Sequence, residues 1–214
     1  MKLDKASMLL YVVTDRTWLG GGSLAQQVEQ AVQAGATFVQ LREKNLGFDQ
    51  FVEIAAEIKT ITDLYRIPYV INDNVDVAIA VKADGVHLGQ GDTKIAAARK
   101  RLGHDKIIGL SATNLKEAVQ AQENGADYIG VGTVFNTTTK PDADTVSIET
   151  LMQICHAVQI PVVAIGGISK HNIMELSGTG VDGVAVISAV FAQPDVYKAT
   201  YELLQLSRKM KCIG

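Results

Sequence analysis

The segment Gln40-Leu41-Arg42-Glu43-Lys44 places an amide and two cations directly after an apolar run. Alternate side chains of an extended chain share a face, so Gln40, Arg42 and Lys44 are predicted to point the same way. Because a cation is costly to bury without a partner, such a strand end favours a cleft that holds an anion. A phosphorylated substrate is one interpretation, and surface salt bridging around Glu43 is the other.

Two carboxylates follow later apolar runs and could bind a metal ion. Asp73 belongs to an Asn-Asp-Asn triplet, and Asp92 ends a Gly-Gln-Gly-Asp segment. One or two carboxylates, completed by substrate phosphate and water, are typical of a magnesium site. The alternatives are a turn or helix-capping role for Asp73, and an N-cap role for Asp92 on a helix that starts at Thr93.

A second anion site is predicted from the residues that follow the last two apolar runs. Gly166 and Gly167 would let backbone amides approach a ligand closely. Ser188 begins Ser-Ala-Val-Phe, a candidate short helix of the kind that forms a phosphate site with a glycine loop. Two phosphorylated substrates, or one bisphosphate, would then bind to this site and to a separate cluster of three cations, Arg42, Lys44 and Lys140.

Eight short apolar runs alternate with segments of helical periodicity, which predicts a mostly parallel sheet covered by helices. Eight such units in 214 residues favour one (β/α)8 TIM barrel domain over residues 1–214, with the active site at the C-terminal strand ends. An open doubly wound sheet is the alternative, but no G-x-G-x-x-G follows the first run. The predicted strands are Leu9–Val13, Thr37–Leu41, Tyr69–Ile71, Gly85–His87, Ile107–Leu110, Tyr128–Val131, Val162–Ile165 and Gly183–Val186.

Local signals mark where several helices begin and end. Ser23 with Gln26 is typical of a capping box, and Asn114 with Glu117 is a related pattern with asparagine at the cap. Three glycines lie just before strands and are predicted to end helices, namely Gly35, Gly125 and Gly180.

Composition and charge argue against several classes of protein. A net charge of −3 and a pI near 5.8 disfavour a nucleic-acid surface. The N-terminus lacks the apolar core of a signal peptide, and no segment is long enough to span a membrane. Cys155 and Cys212 have no metal-ligand spacing and are typical of a reducing compartment, so a soluble cytoplasmic protein is expected. His87, at a strand end, is expected to pack or hydrogen-bond.

Nine segments together resemble the thiamine-phosphate synthase family along nearly the whole chain, with specific order and spacing. The resemblance implies a (β/α)8 barrel enzyme that uses Mg²⁺. It would join 4-amino-2-methyl-5-hydroxymethylpyrimidine diphosphate to 4-methyl-5-(2-phosphoethyl)thiazole, giving thiamine phosphate and pyrophosphate. The matching segments are Tyr11–Asp15, Gln40–Lys44, Ile71–Asn74, Ala83–Asp92, Gly109–Ser111, Gly125–Gly130, Thr137–Lys140, Ala164–Ile168 and Val186–Ser188.

The resemblance also implies a role for each matching site residue. The pyrimidine diphosphate would be held by Gln40, Arg42, Lys44, Asn72, Ser111 and Lys140. Of these, the catalytic residues would be Arg42, Lys44, Ser111 and Lys140. Mg²⁺ would be bound by Asp73 and Asp92. The thiazole phosphate would be contacted by Thr137 and Thr139 and by the backbone amides of Gly167, Ile187 and Ser188.

The implied chemistry needs charge stabilisation and orientation of two substrates rather than a strong nucleophile. The bond that breaks is carbon–oxygen, because an electron-rich aminopyrimidine stabilises a methylene cation once pyrophosphate departs. The thiazole ring nitrogen then attacks that carbon. Mg²⁺ would act as an electrophile on the diphosphate, Arg42 as a bidentate donor, and Lys44 and Lys140 as point charges.

The sequence departs from the family pattern at four positions. Thr113 replaces a histidine that many relatives have, and Asn74 replaces a second aspartate. Thr133 and Asn136 replace two prolines near the thiazole loop. These two changes leave the geometry of thiazole binding open.

Three alternatives share parts of this pattern. A thiazole tautomerase would have the histidine at Thr113 and would lack the full diphosphate and metal set. A sugar-phosphate isomerase of the same fold would explain only the last two strands. A non-catalytic thiamine-phosphate binding protein would not need Lys44, Asp73 and Asp92 together. The expected partners are small phosphorylated substrates, with a homodimer plausible for the family and no nucleic acid or membrane.

Overall fold

Eight parallel strands close into a barrel in the computed structural model, which describes residues 3–136 and 145–213. Strand order follows the chain, and the first strand pairs with the last to complete the ring. The predicted (β/α)8 class and all eight predicted strands are confirmed, with ends that move by no more than two residues. The strands are β1 Leu10–Val13, β2 Phe38–Leu41, β3 Tyr69–Asn72, β4 Gly85–Leu88, β5 Ile107–Ala112, β6 Tyr128–Val131, β7 Val162–Ile165 and β8 Gly183–Val186.

Helices connect successive strands and cover the outside of the barrel. A short 3₁₀ helix, Ile173–Leu176, takes the place of an α-helix between β7 and β8. Within the described ranges, no helix has both the length and the apolar character that a membrane span needs. The α-helices are α1 Leu24–Gln33, α2 Phe48–Tyr65, α3 Val75–Ala80, α4 Ile95–Leu102, α5 Leu115–Glu123, α6 Ile148–Ala157, α7 Ser188–Phe191 and α8 Val196–Cys212.

The predicted helix starts are found at α1 and α5, with one difference. Ser23 and Gln26 exchange side-chain to backbone hydrogen bonds, so the capping box of α1 is confirmed. Asn114 caps α5, but the Glu117 carboxylate accepts from the amide of Thr113 at 2.7 Å instead of from the cap residue. The reciprocal half of the second box is therefore shifted by one residue.

The predicted helix ends are confirmed for two of the three glycines. Gly35 and Gly125 follow α1 and α5 with φ values of 102° and 87°, a region that favours glycine. The prediction for Gly180 is wrong, because the preceding helix ends at Leu176 and Gly180 lies further along the loop. Its φ of 88° belongs to the loop before β8 rather than to a helix end.

Two apolar layers lie on either side of the strands. Outward-facing side chains pack against the helices, and inward-facing ones fill the barrel. Alternation along the strands puts Tyr11, Phe38 and Tyr128 inside, with ring centroids 4.5, 5.6 and 5.9 Å apart. These three rings pack with aliphatic side chains in the interior below the polar strand ends, so the barrel has a packed core rather than an open channel.

A repeated hydrogen bond ties the strands together at the opposite end of the barrel. The side chain just before each even-numbered strand accepts an amide hydrogen from the start of the preceding strand. Since these amides have no strand partner beyond them, the bonds satisfy buried donors. The pairs are Thr37 with Leu10 at 2.9 Å, Asp84 with Tyr69 at 2.9 Å, Asp127 with Ile108 at 2.8 Å, and Asp182 with Val162 at 3.0 Å.

Candidate active site

A cavity of about 350 Å³ opens among the C-terminal ends of the strands. Residues from all eight strands, or from the loops that follow them, form its wall. The structure therefore brings together strand ends that are far apart in the sequence. Seven of the predicted site residues line the cavity, namely Gln40, Arg42, Asn72, Ser111, Gly167, Ile187 and Ser188.

Asp92 and Lys44 are both close enough to Asp73 to change its pKa, and none of the three residues lines the cavity itself. Asp73 follows β3 directly and has a φ of 61°. Burial raises the pKa of Asp73 to about 6, the hydrogen bond and charge of Asp92 add to the shift, and the Lys44 ammonium opposes it. The ends of β2, β3 and β4 thus supply one cation and two carboxylates to the same edge of the barrel.

Helix capping does not account for either carboxylate. Asn74 is the N-cap of α3, and its side chain accepts a helix amide at 3.0 Å. The helix expected from Thr93 begins at Ile95 instead, so Asp92 is not its N-cap. One oxygen of Asp92 accepts from the Gly89 amide at 2.7 Å, which fixes the carboxylate in place.

The chemistry of this carboxylate pair fits a hard divalent cation. Carboxylate oxygens are the ligands that Mg²⁺ prefers, and a cation beside Asp73 and Asp92 would relieve the repulsion that raises the Asp73 pKa. Across residues 3–136 and 145–213, no group of three or more His, Cys, Asp or Glu side chains could hold a metal ion. Substrate phosphate and water would therefore have to complete the ligand set.

Arg42 lies in the cavity wall with one acidic neighbour. Its Nη1 atom is 4.0 Å from Oδ2 of Asp15, and its side chain is only 20% exposed. Its backbone amide donates to Oγ1 of Thr14 at 3.1 Å, which holds the end of β2 against the end of β1. A guanidinium has five donors, and within residues 3–136 and 145–213 the acidic partner of Arg42 is Asp15 at 4.0 Å, so Arg42 has donors to offer an anionic ligand.

Glu43 forms the salt bridge that is the alternative interpretation of this segment. Its Oε2 accepts from Nε of Arg16 at 2.9 Å, and the glutamate side chain is 6% exposed. Burial raises the pKa of Glu43, and the Arg16 charge opposes that shift. The salt bridge around Glu43 is therefore confirmed, and it ties β2 to the loop after β1. Arg42 lines the cavity, where an anion site stays a prediction.

A chain of buried hydrogen bonds crosses the barrel at the cavity floor. The amide nitrogen of Gln40 donates to the hydroxyl of Tyr11, which is 2.8 Å from the hydroxyl of Tyr128. The Tyr128 hydroxyl is 2.9 Å from Nδ1 of His87, and Nε2 of His87 is 3.0 Å from Oγ of Ser111. The chain connects β2 to β5 through the interior, and it confirms that His87 hydrogen-bonds.

Burial fixes the protonation of the groups in this chain. It lowers the pKa of His87 to about 4, so the imidazole is neutral at neutral pH. It raises the pKa of the hydroxyls of Tyr11 and Tyr128 above their ordinary value. Both tyrosines therefore keep their hydrogens as donors.

The sequence alone does not identify Tyr11 or Tyr128 as part of the site. The sequence feature that could indicate them is a glycine, Gly109, inside an apolar run. In the structure Gly109 pairs in register with His87 on one side and Tyr128 on the other. A Cβ atom at Gly109 would overlap the Tyr128 ring. Glycine at this inward-facing position thus lets the tyrosine cross β5 and reach His87.

The loop after β6 is joined to the glycine loop after β7. The amide of Phe135 donates to the carbonyl of Gly166 at 3.0 Å. A side chain at Gly167, whose φ is 62°, would overlap the carbonyls of Phe135 and Asn136, so glycine is required by the close approach. The remaining predicted site residues of this region lie outside the described residues, namely Thr137, Thr139 and Lys140.

The short helix predicted after β8 is confirmed as α7, which begins at Ser188. Thr113, one of the expected departures from the family pattern, lines the cavity just after β5. Its hydroxyl donates to the Glu117 carboxylate at 3.0 Å. A threonine that is held in this way has no group that titrates near neutral pH.

The chain is similar to proteins of one known family along most of its length. Residues 10–190 match the family model described as thiamine monophosphate synthase. A thiamine-phosphate synthase of Clostridium tetani is 52% identical over 194 residues, which cover 91% of this chain and 93% of that protein. The thiamine-phosphate synthase of Ruminiclostridium cellulolyticum is 50% identical over 203 residues, or 95% of this chain and 97% of the relative.

Solved structures of known proteins share the fold of this chain. A thiamine phosphate pyrophosphorylase from Pyrococcus furiosus has a TM-score of 0.89 and 43% identity, and the match covers 96% of this chain and 98% of that one. The (S)-3-O-geranylgeranylglyceryl phosphate synthase of Thermoplasma acidophilum has a TM-score of 0.67 at 15% identity, with 96% and 95% of the two chains covered. The second likeness concerns the barrel fold alone.

Proposed function

The chain belongs to the thiamine monophosphate synthase family of transferases, and we propose that it joins an aminopyrimidine diphosphate to a thiazole phosphate with the help of Mg²⁺. The products are thiamine phosphate and pyrophosphate. The observation that carries the proposal is the pair of carboxylates, Asp73 and Asp92, beside a cavity whose wall holds Arg42 and Ser111. Relatives of this chain with 52% and 50% identity are thiamine-phosphate synthases.

The two substrates would occupy two sides of the cavity. In this proposal the pyrimidine diphosphate contacts the strand ends from β2 to β5, and the thiazole phosphate contacts the loops after β6, β7 and β8. The first set is Gln40, Arg42, Lys44, Asn72, Ser111 and Lys140. The second set is Thr137, Thr139, Gly167, Ile187 and Ser188.

The chain's own residues would bind, orient and neutralise charge. The methylene carbon–oxygen bond breaks with its electron pair on pyrophosphate, and the thiazole nitrogen then forms the new carbon–nitrogen bond. Arg42, Lys44 and Lys140 would stabilise the departing negative charge. Mg²⁺ held by Asp73 and Asp92 would supply Lewis-acid stabilisation of the diphosphate. No nucleophilic side chain is required, which agrees with a floor made of neutral groups.

The same set of groups favours a synthase over a thiazole tautomerase. A tautomerase needs an acid or base near the thiazole, and Thr113 has a hydroxyl that already donates to Glu117. A tautomerase also has no use for a metal site next to two cations. The synthase reaction uses both features.

We also propose a reducing, cytoplasmic location and small-molecule partners. Cys155 and Cys212 are both free thiols, which supports a reducing compartment. The net charge of −3 supports the absence of a nucleic-acid partner. A homodimer remains a prediction from the family resemblance.

An omission assay tests the proposed function. Purified protein is incubated with both substrates and Mg²⁺, and thiamine phosphate and pyrophosphate are measured. Parallel reactions lack one substrate, contain EDTA, or contain the tautomeric isomer of the thiazole phosphate alone. We expect both products only in the complete reaction. Conversion of the thiazole isomer alone, or no thiamine phosphate in the complete reaction, would contradict the proposal.

A further inference from the structure

We propose that His87 is a positioning residue for Ser111. A chain of hydrogen bonds in which each group donates to the next holds His87 as the Nε2–H tautomer. The Ser111 hydroxyl then accepts from His87 and donates its own hydrogen toward the cavity. Its effect on turnover rests on the proposed function, because Ser111 is assigned to the substrate there. The tautomer itself rests only on the geometry of the free protein. In this proposal the hydroxyls of Tyr11 and Tyr128 determine the tautomer of His87 and so help to orient Ser111.

The direction of the chain is set at its Gln40 end. The amide nitrogen of Gln40 carries only donors, so the Tyr11 hydroxyl accepts there. Tyr11 then has one hydrogen to donate, and Tyr128 is its other hydrogen-bond partner among the described residues. Tyr128 accepts that hydrogen and donates its own to Nδ1 of His87 at 2.9 Å.

His87 must accept at Nδ1 and therefore carries its hydrogen on Nε2. That hydrogen points at Oγ of Ser111, 3.0 Å away. Since Ser111 accepts from His87, its own hydrogen is directed elsewhere, and Ser111 lines the cavity. The floor of the cavity thus presents a hydroxyl donor to any substrate atom that accepts a hydrogen bond.

Other placements of the hydrogens leave a buried donor without a partner. If Nδ1 carried a hydrogen, Tyr128 would accept from His87 and would donate to Tyr11. Tyr11 would then accept from both Gln40 and Tyr128, and its own hydrogen would have no acceptor. Tyr11 and Tyr128 are 1% and 0% exposed, so their hydroxyls are almost closed to water, and a donor left without a partner there is costly.

Register explains why this chain can form in this barrel. Gly109 stands between His87 and Tyr128 on β5, and its missing side chain leaves the space that the tyrosine ring occupies. Gly130 on β6 leaves a smaller amount of space beside His87, because a Cβ there would make a tight contact of 3.3 Å with Cε1 of the imidazole. Two inward-facing glycines therefore make room for one continuous polar path between β2 and β5.

Nitrogen NMR of the free protein tests the tautomer directly. The protein is labelled with ¹⁵N-histidine, and the two ring nitrogens of each of its 4 histidines are correlated with the ring hydrogens at pH 7.5. The spectrum of His87→Gln identifies the His87 signals by their loss. We expect Nε2 to carry the hydrogen and Nδ1 to be unprotonated. The Nδ1–H tautomer, or a mixture of both, would overturn the proposal, because it would mean that Gln40 presents its carbonyl to Tyr11.

The first substitution comparison asks whether a donor at the Nε2 position suffices. The side-chain amide of glutamine can place a nitrogen where Nε2 of His87 lies, whereas that of asparagine reaches only the Nδ1 position. We expect His87→Gln to keep kcat/KM for the pyrimidine diphosphate within roughly threefold of the unmodified protein, and His87→Asn to lose roughly tenfold, the size of one hydrogen bond. Equal losses in both variants would contradict a positioning role.

A double-mutant cycle separates positioning from mere packing. Ser111→Ala removes the group that His87 is proposed to orient. We expect His87→Asn to cause no further loss of kcat/KM once Ser111 is alanine, because both changes remove the same donor. Additive losses, together with a lower melting temperature in His87→Asn alone, would show that His87 only packs. If the tautomer is as expected but no variant makes thiamine phosphate, the proposed function fails and the tautomer assignment stands.

Discussion

At the scale of single residues, the site has a charged edge and a neutral floor. Asp73, Asp92 and Lys44 lie at the edge, where burial and mutual repulsion raise the pKa of Asp73. The floor contains His87, whose burial keeps it neutral, and hydroxyl and amide groups around it. In the proposed reaction the pyrophosphate leaving group would meet the first set, and neutral ring atoms would meet the second.

Replacing Asp92 by asparagine tests the charged edge. Asp92→Asn should lower Mg²⁺-dependent turnover by on the order of 100-fold, because the diphosphate is a poor leaving group without its cation. Titration of the free protein with Mg²⁺, followed by calorimetry, should show weaker binding. Asp76→Asn is the matched control, since Asp76 is an exposed carboxylate on α3 that pairs with Arg101. Near-normal turnover and Mg²⁺ binding in Asp92→Asn would exclude the metal role.

His87 should make stability depend on pH. Burial lowers its pKa from 6.5 to about 4, so between these values the unfolded chain takes up a proton that the folded protein does not. The free energy of unfolding should therefore fall as the pH drops from 6.5 to 4, by on the order of 3 kcal/mol from this residue. Urea unfolding of the protein and of His87→Gln, at several pH values, isolates the contribution of His87 to the free energy of unfolding. A stability difference between the two that does not change with pH would refute it.

The types and spacing of the residues were sufficient to predict that charged groups gather at the ends of β2, β3 and β4. Gln40, Arg42 and Lys44 follow one apolar run, and Asp73 and Asp92 follow two others. Tyr11 and Tyr128 could not be found in this way, because a tyrosine inside an apolar run is indistinguishable from a core residue. Their role depends on the strand register, which the sequence does not give.

At the scale of elements, short strands position the site residues, and side-chain hydrogen bonds to the backbone connect neighbouring strands. Inward-facing side chains near the C-terminal strand ends include the polar groups of the cavity wall, and the interior cluster below them combines aromatic rings with aliphatic side chains. Gly109 on β5 is the position where the two layers meet, since the Tyr128 ring passes over it. Ser111 lies two residues further along β5, and His87 reaches it from below.

Gly109→Ala should disturb the floor more than the fold. The added methyl would overlap the Tyr128 ring, and overpacking of this kind costs about 1–3 kcal/mol in the free energy of unfolding. The His87 ring signals in the ¹⁵N spectrum should also shift, because Tyr128 is displaced. Gly47→Ala is the control, since a Cβ at Gly47 meets no atom within 4 Å. Equal stability and unchanged His87 signals in Gly109→Ala would contradict the claim that Gly109 leaves the space in which the Tyr128 ring crosses β5.

The opposite end of the barrel should affect stability alone. Asp182→Ala leaves the Val162 amide without its acceptor and removes a carboxylate near Lys5 and Lys211, so we expect a loss of about 1–3 kcal/mol in the free energy of unfolding. Asp182→Asn keeps an acceptor oxygen and should lose less. Chemical unfolding of the three proteins provides the measurement. Equal stability of Asp182→Ala and the unmodified protein would show that the bond contributes nothing.

At the scale of the whole molecule, closure of the barrel turns separate strand ends into one cavity. Eight apolar runs that alternate with helical patterns were sufficient to predict this closure, because a parallel sheet of eight strands in 214 residues has few other solutions. The predicted helix end at Gly180 failed, since a 3₁₀ helix that ends at Leu176 replaces the expected α-helix before β8. Local signals thus place strands better than they place the connections.

An isotope-labelled reaction tests the central claim most directly. The pyrimidine diphosphate carries ¹⁸O at the oxygen that bridges carbon and phosphorus, and it is incubated with the protein, the thiazole phosphate and Mg²⁺. Mass spectrometry then follows the label in both products. We expect thiamine phosphate and pyrophosphate in equal amounts, with the label entirely in pyrophosphate. Absence of thiamine phosphate, or a label retained on a pyrimidine alcohol, would contradict condensation by carbon–oxygen cleavage in this cavity.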